Sequence, residues 1–319
     1  EIEKYIENID KVDCNPVGEN VGVINHEHNA LRDYVDYLKS IINVDLTGMK
    51  VVLDCANGAS YEVAPTVFKE LGANVIDINT TPNGKNINDK CGSTHPEMLQ
   101  KAVVENKADL GLAYDGDADR LIAVDENGNI VDGDHIMILS AVYLKKKNQL
   151  SNNTLVITVM TNIGLNVAAR EHGINLETTD VGDRYVIEAM KKGEFNLGGE
   201  QSGHMIFSDY NTTGDGVLSS LMLSKIIMEE KKPLSELASI MSVYPQVLVN
   251  VEVKNKFMEV EEIKNEITRI EELMEGSGRV LIRPSGTQPL VRVMLEGKEE
   301  GQINELANNL ANLIKEKLS

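Results

Sequence analysis

The stretch 50–114 decides the fold class, because it begins with KVVLDC (50–55) and ends with ADLGLAY (108–114). Both are short apolar runs of the kind that form buried strands. Between them lie, in chain order, a helix pattern at 64–71, a strand pattern at 74–78 and a helix pattern at 96–106. Strands that alternate with helices form crossover units and a mostly parallel sheet, so this stretch predicts an α/β domain.

The same alternation restarts after the polar segment 145–153, which we interpret as a linker. Strand and helix patterns then follow at 154–160, 164–172, 174–179, 184–192 and 195–199. After Tyr244-Pro245 the pattern changes to strands at 247–253, 279–282 and 290–295 with helices at 260–274 and 303–318, which is typical of an α+β domain. We therefore predict two tandem α/β domains with mixed or parallel sheets, at 21–148 and 149–243, and a C-terminal α+β domain at 244–319. A common plan for the two α/β domains is left open.

The composition excludes some classes of partner. The chain has 319 residues, with 31 Lys plus Arg against 50 Asp plus Glu and a formal net charge of −19. Nucleic acids and anionic membranes require a basic surface, so this balance argues against both and leaves a small anionic substrate open. No apolar run approaches the roughly 20 residues of a membrane helix. Three scattered cysteines (Cys14, Cys55 and Cys91) make no disulfide framework, so we expect a cytoplasmic protein.

The strongest chemical signal is the sequence DGDADR at 115–120, here called the acidic loop. Asp115, Asp117 and Asp119 follow a buried strand at alternate positions, so their carboxylates can converge on one hard cation, which prefers oxygen ligands. A solvated acidic turn is the alternative. The spacing also imitates a calcium-binding EF-hand loop, but Arg120 stands where that loop needs glycine. A site of carboxylates alone suits magnesium or calcium, and magnesium is the expected ion if a phosphate completes its shell, with Arg120 in support.

A second signal is RPSGT at 283–287, the arginine loop, between two strands of the last domain. The amides of Gly286 and Thr287 can form an anion nest, to which the hydroxyls of Ser285 and Thr287 can donate. Arg283 and Arg292 would add bidentate charge. A polar turn with surface arginines is the alternative, but two arginines around this turn in an acidic protein favour an anion site.

A weaker signal is GGEQSGH at 198–204, the glycine loop, at the end of a strand in the second α/β domain. Glu200 and Ser202 point the same way in an extended loop, and would offer an acceptor and a donor to neighbouring sugar hydroxyls. A glycine-rich turn is an equal alternative. His204 is interpreted as a structural histidine. Asp183 is interpreted as a helix cap for which a ligand role is left open.

Together, these loops resemble the α-D-phosphohexomutase superfamily. The matching pieces, in the order of the family, are DCANGAS, CGSTHPE, DGDADR, VGDRYV, GGEQSGH, TTGDG and RPSGTQPLVRVM. The resemblance implies interconversion of hexose 6- and 1-phosphates through a phosphoserine and a bisphosphate intermediate. The forms GEQSG and CGSTHPE favour glucosamine phosphate, and glucose or mannose phosphate is the alternative.

The resemblance also assigns residues. It implies Mg²⁺ at Asp115, Asp117 and Asp119, and sugar recognition by Glu200 and Ser202. It implies a phosphate clamp formed by Arg283, Ser285, Gly286, Thr287 and Arg292. It also implies that Asp183 and Arg184 approach the active centre. The expected partner is a phosphosugar, with a homodimer left open.

The sequence departs from the family in two places. Gln288 follows the arginine loop where the family usually has glutamate. The family's nucleophilic serine lies in a Ser-His-Asn-Pro type motif of an N-terminal domain, and the sequence contains no such motif. We therefore expect residues 1–20 to be a remnant of that domain. The chain alone would then have no mutase activity. The alternative from a different class is a module that binds a metal or a phosphosugar without catalysis.

Overall fold

The computed structural model describes residues 2–11, 16–253, 260–274, 278–284 and 289–318. A short helix α1 (Ile2–Glu7) precedes the first α/β domain. That domain contains, in chain order, α2 (Ala30–Ile42), β1 (Lys50–Asp54), α3 (Val63–Glu70), β2 (Asn74–Ile78), α4 (Glu97–Asn106), β3 (Leu110–Tyr114), β4 (Leu121–Asp125), β5 (Ile130–Val131) and α5 (Gly133–Lys146).

The first sheet has the strand order β2-β1-β3-β4-β5. β1 is parallel to β2 and β3, and β4 returns antiparallel to β3. Alternate residues of β1 face opposite layers: Val51 and Leu53 pack in the core with α2 and α3, whereas Val52 packs with Leu99 of α4. Because both faces are covered, the central strands β1, β3 and β4 are almost entirely buried, which is why the sequence shows apolar runs there.

The second α/β domain repeats this arrangement. Its elements are β6 (Thr154–Thr158), α6 (Ile163–Glu171), β7 (Asn175–Thr179), α7 (Asp183–Gly193), β8 (Leu197–Gly199), β9 (Met205–Phe207), α8 (Gly216–Glu230) and α9 (Leu234–Ala238). The strand order is β7-β6-β8-β9, with β6 parallel to β7 and β8 and with β9 antiparallel to β8. The two sheets therefore share one plan.

The two sheets meet through their antiparallel strands. Arg120, just before β4, forms an antiparallel bridge with His204, just before β9. The amide of Leu121 donates to the carbonyl of Gly203 at 3.0 Å. The helices α5 and α8 lie between the sheets and are buried along most of their lengths, within one hydrophobic cluster that includes residues of both sheets.

The C-terminal domain is a three-stranded antiparallel sheet with two helices. Its elements are β10 (Gln246–Glu252), α10 (Glu261–Leu273), β11 (Gly278–Pro284), β12 (Leu290–Gly297) and α11 (Glu300–Leu318). The strand order is β10-β12-β11. Val291, Val293 and Leu295 of β12 are buried in the cluster that contains Leu310 of α11. The predicted α+β domain is confirmed.

Element bounds differ from the sequence prediction where caps and short strands intervene. α5 begins at Gly133, because the Asp132 carboxylate caps it by accepting from the amide of His135. The expected cap at Asp183 is wrong, since Asp183 is the first residue of α7 and Gly182 occupies the cap position with a φ of 129°. β9 was missed because three residues carry no usable periodicity.

No helix in the described part of the chain is both long enough and apolar enough to span a lipid bilayer.

The bridge between the sheets requires glycine at 203. Gly203 has a φ of +96°, and a Cβ there would lie 2.2 Å from the Leu121 carbonyl oxygen. We expect Gly203→Ala to combine left-handed strain of about 1 kcal/mol with a clash of about 1–3 kcal/mol. Gly84→Ala is the matched control, because Gly84 has a φ of +82° but open space around it. Urea unfolding measures the free energy of unfolding of both variants, and an equal loss of stability in the two would contradict the prediction.

Candidate active site

The acidic loop leaves the carboxyl end of β3 and brings its three aspartates together. One carboxylate oxygen from each of Asp115, Asp117 and Asp119 lies within 4.8 Å of the others. The loop that follows β1 packs against the acidic loop, and the amide of Ala59 donates to the carbonyl of Gly116 at 2.9 Å. Gly58 packs so closely there that a Cβ would lie 2.3 Å from the same oxygen. The predicted convergence of the three carboxylates is confirmed.

The charge of this cluster is only partly offset by the protein. Burial and the neighbouring carboxylates of Asp119 and Asp117 raise the pKa of Asp115 to about 7. The Nε of Arg120 lies 3.7 Å from Asp115 and 3.8 Å from Asp119, which is too far for a hydrogen bond. Asp119 Oδ1 is buried without a hydrogen-bond partner among the described residues. Converging carboxylate oxygens with unmet bonding capacity fit a divalent cation.

His204 belongs to the site, although the sequence analysis treated it as structural. Its side chain is only 4% exposed, and Nδ1 lies 3.0 Å from Asp119 Oδ2. The Nε2 atom is buried and has no hydrogen-bond partner within the part of the chain that the structure describes. The contact joins residues 85 positions apart, which local spacing could not show. The acidic loop and the glycine loop each follow the third strand of their sheet in chain order. This equivalence was the signal that could have indicated a contact between them.

The glycine loop forms a tight turn beside the acidic loop. The amide of Gly203 donates to the carbonyl of Glu200 at 3.0 Å, and the amide of Glu200 donates to the carbonyl of His204 at 2.9 Å. The carboxylate of Glu200 accepts from the amide of Gly182 at 2.9 Å, which places this loop beside Asp183. Ser202 is exposed. The roles of Glu200, Ser202 and Asp183 toward a ligand stay predictions.

Arg184 lies near this turn in sequence but points to its own helix. Its Nε donates to Glu188 at 2.9 Å, and its side chain is 81% exposed. Its approach to a substrate stays a prediction.

Two arginines of the last domain, Arg283 and Arg292, stand opposite each other. Arg283 on β11 and Arg292 on β12 are register partners in the antiparallel sheet, and both are exposed. Like charges directly opposite across two strands are destabilising, so an anion between them would relieve repulsion. The Nη1 of Arg283 lies 3.4 Å from Met160 Sδ in the second α/β domain. Ser285, Gly286, Thr287 and Gln288 lie outside the described residues.

Comparison with known proteins identifies the class. Models of phosphoglucomutase/phosphomannomutase match the chain over 32–128 (domain II), 132–244 (domain III) and 248–313 (the C-terminal domain). The chain therefore belongs to this family, the α-D-phosphohexomutases, which are isomerases. The matched models divide the chain between 128 and 132, so that α5 falls with the second α/β domain, whereas our sequence-based boundary lies at 148.

Among individual proteins, the chain is a homologue of phosphoglucosamine mutase. It is 74% identical to that enzyme from Clostridioides difficile strain 630, over all of this chain and 72% of the relative. A Burkholderia thailandensis phosphoglucomutase/phosphomannomutase family protein has a TM-score of 0.76 at 22% identity, covering 98% of this chain and 69% of that one. Aspergillus fumigatus N-acetylphosphoglucosamine mutase, solved with GlcNAc-6P and magnesium, has a TM-score of 0.72 at 21% identity, covering 89% and 70%.

The acidic loop generates a prediction about metal uptake. Asp117→Asn removes one of three converging charges, so we expect Mn²⁺ affinity, measured by calorimetry, to fall by about tenfold or more. Asp77→Asn is the control, since Asp77 lies in the same domain and pairs with Lys69 away from the loop. Equal affinity of the two variants would count against a metal site.

Metal uptake should also depend on pH. A protonated Asp115 cannot serve as a ligand, and in the metal-free chain the pKa of Asp115 is raised to about 7. Protons therefore compete with the cation below that pH, and we expect affinity for Mn²⁺ to be about tenfold weaker at pH 6 than at pH 8. A titration that gives the same affinity at both values would show that Asp115 is not titrating there.

Proposed function

We propose that this chain carries the metal, sugar and phosphate sites of a phosphoglucosamine mutase. That enzyme would interconvert glucosamine 6-phosphate and glucosamine 1-phosphate through a phosphoserine and a 1,6-bisphosphate. The observation that carries the proposal is the bridge between Arg120 and His204, because it places the acidic loop and the glycine loop side by side. The 74% identity to a phosphoglucosamine mutase supports the choice of substrate.

Mg²⁺ is the proposed ion, held by Asp115, Asp117 and Asp119. When bound, it would supply positive charge against which a transferring phosphoryl group is stabilised. His204 holds the Asp119 carboxylate in place from behind, at 3.0 Å. Arg120 would add charge to a phosphate beside the cluster, since its Nε is buried and none of the described residues gives it a hydrogen bond.

The proposed substrate spans two loops. Glu200 and Ser202 would accept from and donate to the sugar, with Glu200 oriented by the amide of Gly182 at 2.9 Å. Arg283 and Arg292 would clamp the phosphate that is not reacting. Because the bisphosphate must present each phosphate in turn, the clamp must accept both orientations, which two flexible guanidinium groups at a strand pair can do.

The phosphoserine is proposed to lie on a segment outside these 319 residues, since no serine here stands in a Ser-His-Asn-Pro type motif. We expect the chain alone to show no formation of glucosamine 1-phosphate in a coupled assay. The full-length Clostridioides difficile relative, assayed in parallel, is the positive control. Robust turnover by the 319-residue chain would overturn this part of the proposal.

Binding tests the substrate directly. We expect the chain to bind glucosamine 6-phosphate more tightly than glucose or mannose 6-phosphate in calorimetry. Arg292→Ala should weaken binding by about tenfold or more, because it removes a charge-assisted bond to phosphate. Arg269→Ala is the control, since Arg269 is exposed in the same domain and pairs with Glu266. Equal binding of the three sugars would favour a broader phosphohexomutase.

A further inference from the structure

The loop between β6 and α6 contains a buried asparagine whose amide is fully used. Asn162 is 2% exposed and caps α6. Its Oδ1 accepts from the amides of Gly164 at 2.9 Å and Tyr244 at 3.0 Å. Its Nδ2 donates to the Tyr244 carbonyl at 3.0 Å and to Glu296 Oε1 at 3.2 Å. A side-chain amide has two donors and can accept two bonds, so all four are satisfied.

These bonds hold the connection between the second α/β domain and the C-terminal domain. Tyr244 lies two residues before β10, and Asn162 pairs with both its amide and its carbonyl. The connecting segment lies directly against α6, because a Cβ on Gly164 would be 2.0 Å from the Ser242 carbonyl oxygen. The backbone around Tyr244 therefore has little room to shift while the amide of Asn162 is in place.

Glu296 links Asn162 to the sheet of the C-terminal domain. It is fully buried on β12, and it also accepts from Arg279 Nε at 2.5 Å. Arg279 in turn donates to the Thr161 carbonyl at 2.6 Å. Burial raises the pKa of Glu296, and Arg279 opposes that rise. Three successive residues of one loop, Met160, Thr161 and Asn162, thus contact Arg283, Arg279 and Glu296.

The same loop is tied to the support of the glycine loop. The amide of Asn162 donates at 2.7 Å to the carboxylate of Asp134, which is fully buried in the first turn of α5. On the neighbouring residue, the amide of Gly133 donates to the carbonyl of Gln201 at 3.0 Å. One helix start therefore holds the proposed sugar loop through Gly133 and the C-terminal domain through Asp134 and Asn162.

Because of the register of the sheet, a small rotation at this contact displaces residues further along the strands. Arg279 faces Glu296, and Arg283 faces Arg292 four residues further along the same strands, so both pairs lie on one face of the sheet. Four residues of strand span about 13 Å, so a 10° rotation at the first pair moves the second by roughly 2 Å. Displacements of that size are enough to spoil the placement of a reacting group.

We propose that Asn162 is a positioning residue that sets the orientation of the C-terminal domain, and with it the distance from Arg283 and Arg292 to Glu200 and Ser202. Its effect on a phosphosugar rests on the proposed function. Its effect on domain orientation does not, because that follows from the contacts of Asn162 with Tyr244 and Glu296 alone.

The test uses Asn162→Asp, which keeps the shape, removes both donors and places a carboxylate beside Glu296. Asn196→Asp is the matched control. Asn196 is also a buried asparagine of the second α/β domain, and its amide donates to the Gln149 carbonyl at 2.8 Å and to Asp209 at 2.6 Å. Both variants thus lose one bond to a carbonyl and one to a carboxylate, but among the described residues the bonds of Asn162 reach the C-terminal domain, whereas those of Asn196 stay within the second α/β domain.

Domain orientation is read by pulsed electron paramagnetic resonance on the 319-residue chain. Spin labels are attached through Lys191→Cys on α7 and Asn312→Cys on α11, both exposed positions, with the native cysteines replaced by alanine. We expect a broader or shifted distance distribution for Asn162→Asp and an unchanged one for Asn196→Asp. Adding Glu296→Gln to Asn162→Asp restores a donor to the new carboxylate and should narrow the distribution again.

Several results would overturn the proposal. An unchanged distribution in Asn162→Asp is one, and equal broadening in Asn196→Asp is another. If Asn162→Asp does not fold, Arg279→Gln removes the neighbouring contact to Thr161 from a side chain that is 21% exposed, and should broaden the distribution in its place. An unchanged distribution there would equally contradict the proposal.

The ligand arm separates this inference from the proposed function. In Asn162→Asp we expect affinity for glucosamine 6-phosphate to fall by about tenfold, as for a lost charge-assisted contact, with Mn²⁺ affinity unchanged. A loss of Mn²⁺ affinity as well would indicate general damage and overturn the positioning role. If the unsubstituted chain does not bind the sugar phosphate, the proposed function fails, whereas the spin-label distances still decide the role of Asn162.

Discussion

The backbone bridge between Arg120 and His204 is the contact on which the site depends. It joins the first residues of two antiparallel strands, one from each sheet, and the hydrogen bond from Leu121 to Gly203 continues it. The acidic loop and the glycine loop are placed relative to it. The three aspartates lie just before it on one strand connection, and Glu200 and Ser202 lie just before it on the other. Since main-chain groups make the contact, its geometry tolerates side-chain variation but not a side chain at 203.

Much of the architecture follows from the sequence because its signals are local. The strands β1, β3 and β6 have apolar centres and are buried almost throughout, as strands covered on both faces must be, and the DGDADR spacing is enough to place three carboxylates together. The contact of His204 with Asp119 and that of Asn162 with Glu296 could not be read in this way. Both are side-chain pairs between distant segments, set by how the sheets and the last domain pack, and a sequence pattern describes only neighbours along the chain.

The contrast between the two charged regions explains why the overall charge says little about chemistry. A net charge of −19 would by itself oppose a phosphorylated ligand. The opposed pair of Arg283 and Arg292 makes the charge locally positive on one face of the last sheet. In the acidic loop, burial and the neighbouring carboxylates of Asp119 and Asp117 raise the pKa of Asp115 to about 7. Each cluster is unfavourable alone, and each becomes favourable only with an ion of opposite sign.

The repeated plan of the two sheets has a consequence for symmetry. Arg120 and His204 occupy the same position in their respective copies, one residue before the fourth strand, and they pair antiparallel with each other. Equivalent residues that pair in this way define a local two-fold axis, as at the interface of an isologous dimer. The pair of α/β domains is thus arranged like two subunits fused in one chain. Such an arrangement lets one copy of a loop keep three aspartates while its counterpart carries Glu200, Ser202 and His204, which two identical subunits could not do.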